Sequence, residues 1–231
     1  MRHGWRNLLA GFGLALLAAQ AGAGAWPREK GEGFMALTQR HGRGAEGSEL
    51  TLYGEYGAGN GWTLGIDAAL DHHAGRIWSG RTLMFARRGF GNGAFRQAVG
   101  LGLGGTFTAG GYEPMLQPGW HLGYGFGHAR KGWPRAEGWV GLDLTAEIRR
   151  ESTTLKADAT LGLRPHPRLM LIGQLQAAQD SRAGWRTLHA APQVVLRIRP
   201  GFDLTAGIRT GLAGNHGRAI TFGAWTTFTR R

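Results

Sequence analysis

The residues that could carry out catalysis or bind a metal are few in this sequence, and their spacing favours neither. A serine nucleophile needs a histidine within reach of its hydroxyl, which on a strand face means two residues away. None of the nine histidines has a serine at that spacing. The four serines fall in predicted connections or at strand ends: Ser48, Ser79, Ser152 and Ser181. The Asp71-His72-His73 run could hold a metal, but adjacent histidines on a hydrated loop are more often not ligands. We predict no catalytic residue, no metal site and no cofactor.

The composition of the chain indicates an all-β protein. The absence of cysteine excludes disulfide scaffolds, thiol enzymes and zinc fingers. Glycine makes up 42 of the 231 residues, and each interior glycine costs a helix about 1 kcal/mol. A G-x-G-x-x-G match at 100–105 lies on a predicted strand without a following helix, so it does not predict a nucleotide site.

The amino terminus predicts export. Arg2 and Arg6 precede an apolar run at 8–19, and small residues follow at 21–25. This order is typical of a secretory signal peptide, and we expect cleavage after Ala25 or Ala23. The apolar run is shorter than the roughly 20 residues that a spanning helix needs, which disfavours a membrane anchor. We therefore predict a signal peptide at 1–25 and a mature domain at 26–231, and export makes nucleic acid an unlikely partner despite the net charge of +12.

Alternation of apolar and polar residues dominates the mature chain. A period of two is that of a β-strand with one apolar face and one polar face. Most of the alternating segments are long enough for a tilted strand to cross a bilayer, which takes about 9 to 11 residues. Twelve such segments can be counted: 33–40, 49–57, 62–70, 80–88, 94–104, 119–127, 138–148, 153–164, 168–177, 186–199, 202–211 and 218–229.

The links between these segments tend to alternate between short and long. Tight turns follow the second, fourth, eighth and tenth segments, at 58–61, 89–93, 165–167 and 200–201. Longer links follow the first, third, fifth and ninth, and they include 71–79 and 105–118. Short links at one end and long links at the other are typical of outer-membrane barrels. The links 127–137 and 149–152 break the alternation, so we predict about twelve strands within a range of ten to fourteen.

A soluble β-sandwich would also alternate, but two features favour a membrane barrel. The wetted faces of a sandwich are rich in Lys, Glu and Thr, whereas the polar faces here are rich in glycine, as suits a crowded interior wall. These glycines are Gly65, Gly123, Gly125, Gly127, Gly141, Gly162 and Gly207. Aromatic residues also gather beside the tight turns, where a membrane interface would hold them: Tyr56, Trp62, Phe90, Phe95 and Phe202.

The mature chain resembles the outer-membrane β-barrel proteins of Gram-negative bacteria. The Ala25-Trp26-Pro27 start, the hairpin YGAGNGWTLG at 56–65 and the LGLRP hairpin at 161–165 are similar to those of small porin-like and transporter barrels. The resemblance implies a single antiparallel transmembrane barrel in the outer membrane. It also implies recognition of a terminal aromatic residue by the barrel-assembly machinery. Phe228 stands at the matching position, although Thr229-Arg230-Arg231 follow it.

The polar phase of the strands supplies the predicted lumen lining, in which acids and bases nearly balance. Its members are Glu55, Asp67, Arg96, His121, Asp143, Glu147, Lys156, Asp158, His189, Arg197, Asp203 and Arg209. By subtraction, the surplus positive charge falls on rims and loops: Arg40, Arg43, Arg76, Arg130, Lys131, Arg135, Arg149, Arg150, Arg182, Arg186 and Arg218. The lining is interpreted either as a structural ion-pair network or as a path that orients polar solutes. Basic outward loops would face anionic lipopolysaccharide.

These observations favour a channel or porin-like transporter that passes small hydrophilic solutes passively through a narrow lumen. Twelve strands give a lumen between the side-chain-filled eight-stranded barrels and the wide pores of sixteen or more. The main alternative is a non-conducting structural or adhesive barrel that acts through its loops, and a barrel hydrolase is a third. For the loop role, we expect the 105–118 link to provide a contact surface or a plug through Phe107, Tyr112 and Met115. The expected surroundings are outer-membrane lipids and lipopolysaccharide.

Overall fold

A computed structural model of the chain shows a closed antiparallel β-barrel. It describes residues 24–42, 47–73, 76–108, 110–128, 136–184, 186–214 and 216–229. The strands are β1 (Glu32–Gly42), β2 (Ser48–Gly59), β3 (Trp62–His73), β4 (Arg76–Phe90), β5 (Phe95–Thr108), β6 (Gly111–His128), β7 (Ala136–Ile148), β8 (Thr153–His166), β9 (Leu169–Asp180), β10 (Arg186–Ala190), β11 (Gln193–Arg199), β12 (Phe202–Ala213) and β13 (Arg218–Thr229). No helix within these ranges is long and apolar enough to span a membrane.

The thirteen strands occupy twelve positions around the barrel. Consecutive strands pair with each other, except for β10 and β11, and β1 pairs with β13 to close the sheet. Strands β10 and β11 share one position, because both pair with β9 on one side and β12 on the other. The break falls at Pro192, which has no N–H to donate, while its carbonyl accepts a hydrogen bond from the Ile208 amide at 3.1 Å. The predicted fold, an all-β antiparallel barrel of about twelve strands, is confirmed, and the predicted strand 186–199 is divided in two.

The predicted tight turns are also present. At 59–61 the backbone φ angles are +93°, +52° and +77°, and the non-glycine residue is Asn60. Asparagine and glycine tolerate positive φ best, which is why Asn-Gly favours two-residue hairpins between twisted strands.

The prediction of long links at 71–79 and 105–118 is wrong, because strand pairing continues through most of both segments. Strands β3 and β4 pair as far as His73 and Arg76, so most of 71–79 is strand. The 105–118 segment is also strand, because β5 runs to Thr108 and β6 begins at Gly111. Prolines misled the prediction: Pro114 and Pro118 lie in β6 at positions that have no partner on β7, where a missing N–H breaks no ladder bond.

Phe107, Tyr112 and Met115 are therefore strand residues and not parts of a long loop. Phe107 and Tyr112 face each other across the β5–β6 pair, close to the turn between these strands. The Met115 side chain is buried, with 3% of its surface exposed. The prediction that these three residues form a contact surface or a plug therefore applies to a β-hairpin and not to a long loop.

The two faces of the barrel divide as the alternation predicts. Large apolar side chains point outward and are exposed, as at Leu64, Met84 and Leu103. Polar side chains such as Glu55, Thr63 and His121 are buried on the inward face. An outward apolar band around a closed barrel is the arrangement required by a bilayer.

Both described chain ends lie at one end of the barrel, which we call the terminus end. Strand β1 begins there, β13 ends there, and the turns after β2, β4, β8 and β11 lie there. Exposed aromatic side chains surround this end: Tyr56, Trp62, Phe90, Phe95, Tyr124 and Phe228. This ring matches the aromatic girdle of a membrane interface. Phe228 is thus accessible, and its role in assembly stays a prediction.

Inward glycines make room for rings inside the barrel. A methyl group at Gly65 would collide with the Phe85 ring, and one at Gly162 would collide with the Trp139 ring. At Gly65 and Gly162, the glycine of the polar face therefore makes room for an aromatic side chain of the neighbouring strand.

Candidate functional site

The barrel encloses a polar cavity of about 740 Å³. Side chains from β1 to β4 and from β7 to β13 line it. A smaller cavity of about 140 Å³ lies between β2 and β7 and shares Tyr53, Asp67, Arg87 and Asp143 with the large one. The two cavities together form the lumen.

Glu147 is the centre of the first charged cluster of the lumen. Its carboxylate is 2% exposed and accepts hydrogen bonds from Lys156, from Arg149 at 2.5 Å and from Arg81 at 3.4 Å. Arg81 reaches across from β4 and also bonds Asp67 at 2.6 Å. The cluster thus joins β3, β4, β7 and β8, and it shows that Arg149, predicted on a rim, pairs with a lumenal carboxylate.

Glu55 is the centre of the second cluster. One carboxylate oxygen accepts from Arg28 at 2.6 Å, and the other accepts from Arg87 and from the Tyr53 hydroxyl, the latter at 2.5 Å. The Glu55 side chain is 5% exposed. A carboxylate held by two guanidinium groups and a phenol has its hydrogen-bonding capacity largely filled.

A third group lies along one row of the inward face. His121, Asp143 and Asp158 are successive register partners on β6, β7 and β8. His121 Nδ1 lies 2.8 Å from Asp143 Oδ1, and Asp158 lines the large cavity. Gln176 on β9, the register partner of Asp158, continues this row and accepts a hydrogen bond from Arg209 Nε at 3.1 Å.

The structure brings most of the predicted lumen residues together. Seven line the large cavity: Glu55, Asp67, Asp143, Lys156, Asp158, His189 and Arg209. His121 lines the small cavity, and Glu147 is buried among its cationic partners. The remaining three lie toward the terminus end. Arg197 bonds Asp203 at 3.1 Å beside the turn at 200–201, and Arg96 donates to the Gly91 carbonyl at the barrel mouth.

Residues 24–31 form a segment inside the terminus end that the sequence did not reveal, and we call it the N-terminal segment. Ala25 is fully buried, and Arg28 is 5% exposed. The Trp26 ring covers Gly123 of β6, and the Pro27 ring covers Gly89 of β4. The segment therefore crosses the lumen and uses inward glycines as its seats.

Arg28 fixes the N-terminal segment to the wall. Its amide donates to Thr63 at 2.9 Å, its guanidinium bonds Glu55, and a second bond reaches Glu32 at 3.5 Å. Burial lowers the pKa of the Arg28 guanidinium, while Glu32 and Tyr53 act in the opposite direction. Arginine nevertheless stays protonated at physiological pH, so the contact with Glu55 is a permanent ion pair.

An apolar cluster fills the lumen beside the N-terminal segment. Trp139, Met170, Ile172 and Val195 are buried inward-facing residues of β7, β9 and β11. Trp26 and Trp225 pack against them. The cluster and the segment together narrow the terminus end, while the large cavity lies on the polar side of them.

Several site residues were missed by the sequence analysis. Arg81 and Arg87 lie on the inward face of β4 together with Leu83 and Phe85. The outward face of the same strand carries Arg88, so both faces contain charged and apolar side chains. The alternation therefore does not indicate which face of β4 points into the lumen. Among the described residues, no group of three or more potential ligands could hold a metal. The side chains of the Asp71-His72-His73 run are only partly described, since those of both histidines lie outside the described set.

The barrel is similar to solved outer-membrane porins. It aligns with the KdgM porin over 84% of this chain and 99% of the other, with a TM-score of 0.64 and 11% identity. For the NanC porin the coverage is 83% and 98%, the TM-score 0.62 and the identity 9%. The alignment with an outer membrane channel from Pseudomonas putida F1 covers 89% of this chain and 98% of the other, with a TM-score of 0.57 and 10% identity. No protein-family model and no curated protein matches the sequence. The chain has the fold of the outer-membrane porin-like barrels, as its sequence predicted.

Proposed function

We propose that the chain is an outer-membrane porin-like channel that passes small hydrophilic solutes passively through a narrow lumen with charges of both signs. The observation that carries the proposal is the polar cavity of about 740 Å³ inside a closed barrel. An interior that side chains can fill is typical of barrels with about eight strands, whereas twelve strand positions leave room for an internal path. The outward apolar band supports a location in the outer membrane, among its lipids and lipopolysaccharide, with the terminus end toward the periplasm.

Transport is favoured over catalysis by the residues that line the lumen. The lining of the two cavities includes no serine or cysteine among the described residues. The His121–Asp143 pair therefore has no serine or cysteine among the described lining residues to activate, and the side-chain hydroxyls of the smaller cavity belong to Tyr53 and Thr145. The KdgM porin has been solved in complex with disordered oligogalacturonate, and by analogy we include saccharides among the proposed solutes.

The N-terminal segment supports a second candidate function. Because it crosses the lumen beside the apolar cluster, a barrel in which it never moves would not conduct. Such a protein would be a structural or adhesive barrel that acts through its extracellular loops. Conductance distinguishes the two candidates.

The test is current through planar bilayers that contain the refolded protein. We compare the chain that begins at Gly24 with a variant that begins at Lys30 and lacks the part of the N-terminal segment that fills the lumen. We expect small currents for the first and clearly larger currents for the second. Anomalous migration of unboiled protein on a denaturing gel verifies that both barrels are closed. If neither protein conducts at any salt concentration, the channel proposal is wrong and the second candidate takes its place.

Ion selectivity gives an independent test of the mixed-charge lumen. Because lumenal charges nearly balance and the rims are basic, we expect a weak anion preference that salt removes, since screening acts over about 10 Å at 0.1 M. The Lys156→Ala variant removes a partner of Glu147 and should shift the current toward cations. The control is Arg182→Ala, whose side chain is 63% exposed in its pair with Glu151. Equal shifts in the two variants would contradict the proposed lining.

A further inference from the structure

One wall of the large cavity is made of uncharged hydrogen-bonding side chains. It consists of Thr160 on β8, Gln174 and Gln176 on β9, and Gln193 on β11, all of which line the cavity. We call these four residues the amide wall. Inward-facing positions on one strand repeat every two residues, so the Cα atoms of Gln174 and Gln176 stand about 6.7 Å apart along β9 and their side chains are neighbours on one face.

A chain of hydrogen bonds holds three residues of the amide wall, Gln176, Gln174 and Thr160, in a defined orientation. Arg209 Nε donates to Gln176 Oε1 at 3.1 Å, and because arginine can only donate, the accepting atom must be the amide oxygen. Gln176 Nε2 then donates to Gln174 Oε1 at 3.4 Å, and Gln174 Nε2 donates to Thr160 Oγ1 at 3.2 Å. Each amide uses one of its two N–H groups in this chain. The second N–H of each amide and the Thr160 hydroxyl hydrogen are thus left for a solute.

Most charges of the same cavity already have partners of opposite charge within the protein. Six cationic side chains and five carboxylates line it, and Glu147, buried behind them, accepts from two of the six cations. The lining is therefore close to neutral. The ion pairs are Arg28 and Arg87 with Glu55, Arg81 with Asp67, Lys156 with Glu147, and Arg40 with Glu49. An anionic solute that bound one of these paired cations would have to displace its carboxylate, at the cost of leaving that carboxylate buried without a partner, and it would also face the Asp158 carboxylate in the same cavity.

Apolar surface lies next to the amide wall. The Trp225 and Ile172 side chains line the cavity, and the Trp225 ring packs edge-on against Phe34 with a centroid distance of 5.8 Å. A small-molecule site typically combines such apolar surface with a few placed polar groups, in a volume of about 300 to 1,000 Å³. Asp158, which is the register partner of Gln176, adds a carboxylate that can accept from two neighbouring hydroxyls.

We propose that the amide wall binds uncharged polyhydroxylated solutes, that is, neutral mono- and disaccharides, in preference to acidic sugars of the same size. A sugar hydroxyl both donates and accepts, as an amide does, and the C–H face of the sugar ring suits the apolar surface at Trp225. The inference rests on the proposed function, because it names the solute class for the same lumen.

The test compares D-galactose with D-galacturonate, which differ in the carboxylate. Binding to the refolded barrel in detergent micelles is measured by saturation-transfer NMR, which detects weak binding and requires no conductance. We expect galactose to bind at least about fivefold more tightly, the effect of roughly one net hydrogen bond. Tighter binding of galacturonate, or equal binding of the two sugars, would overturn the proposal, and this comparison needs no variant.

A pair of variants locates the site. The double variant Gln174→Met and Gln176→Met keeps side-chain length and removes both amides, so galactose binding should fall about fivefold or more. The matched control is Thr38→Val with Thr51→Val, which removes two hydroxyls from the β1–β2 side of the same cavity and should leave binding unchanged. An equal loss in the control would refute the assignment to the amide wall. If galactose is preferred but no bilayer current is seen, the channel proposal is wrong and the sugar site is supported. If current is seen but the two sugars bind equally, the sugar site is wrong and the channel proposal is supported.

Discussion

Replacing Glu55 with glutamine should release the N-terminal segment from the lumen. In the native barrel the Glu55 carboxylate holds Arg28 of the segment and Arg87 of the wall, and its side chain is 5% exposed. The amide keeps the volume of the side chain but removes the charge that both guanidinium groups face. Two buried cations would then lie side by side without a carboxylate between them.

The size of the effect follows from the burial of these groups. Removing one partner of a buried ion pair costs about 3 to 5 kcal/mol, because the other charge stays buried. The barrel can avoid most of this cost if Arg28 leaves, since the segment precedes β1 and belongs to no strand. The bonds that remain include the Arg28 amide to Thr63 and the Gly31 amide to the Gly57 carbonyl, both at 2.9 Å, and the ion pair of the Arg28 guanidinium with Glu32 at 3.5 Å, with the packing of Trp26. A penalty of about 3 kcal/mol corresponds to a change of roughly 100-fold in the ratio of seated to released segment.

Trypsin cleavage after Arg28 is a direct assay of the release. Arg28 is 5% exposed in the seated segment and should be protected, whereas Lys30 is exposed and should be cut in every protein. In the Glu55→Gln variant we expect cleavage after Arg28, seen by mass spectrometry, together with larger single-channel currents. The control is Glu151→Gln, which removes a carboxylate from an exposed rim pair that contributes little. Protection of Arg28 and unchanged current in the Glu55→Gln variant would refute the reasoning.

Three further outcomes test the barrel itself. Leu142→Arg places a cation on the lipid face and should lower the free energy of unfolding in vesicles by about 2 to 4 kcal/mol, whereas Asp143→Asn should fold normally; the reverse result would invert the two faces. Gly162→Ala should cost about 1 to 3 kcal/mol in urea unfolding because its methyl group meets Trp139, and Gly173→Ala, with open space, should cost little. Purified outer membranes should contain a mature chain that begins at Gly24 or Trp26, and recovery from the soluble periplasm would contradict this.

The sequence predicted the strands well because a barrel imposes one period on the whole chain. Lipid on one side and lumen on the other force alternation, so segments such as β7 and β8 could be placed within two residues of their ends. The bounds failed where glycine and proline interrupt that period. The β5–β6 hairpin continues to Thr108 and Gly111 because strand pairing tolerates Pro114 and Pro118 at positions that have a partner on β5 but none on β7.

The site was less predictable than the fold because its contacts join distant parts of the chain. Alternation identifies an inward side chain, but it does not show that Arg81 reaches Glu147 or that Arg87 reaches Glu55. The N-terminal segment gave no periodic signal at all, since it is not a strand. The one trace of it in the sequence is the excess of inward glycines, such as Gly89 and Gly123, which has meaning only once the covering rings are known.

Under the proposed function, the two interpretations of the lumenal charges, a structural network and a solute path, apply to different halves of the barrel. The bridge from Arg81 on β4 to Glu147 on β7 passes over two intervening strands, and that from Arg87 to Glu55 passes over one, so these pairs tie the β2–β7 half together across the lumen. The hydrogen-bonded amides of β9 instead run along the wall of the other half. The charged side chains that connect opposite strands therefore lie in one half of the barrel, and the uncharged amides of β9 lie in the other, where we propose that the solute binds. Substitutions among the bridges should change stability first, and substitutions in the amide wall should change permeation first.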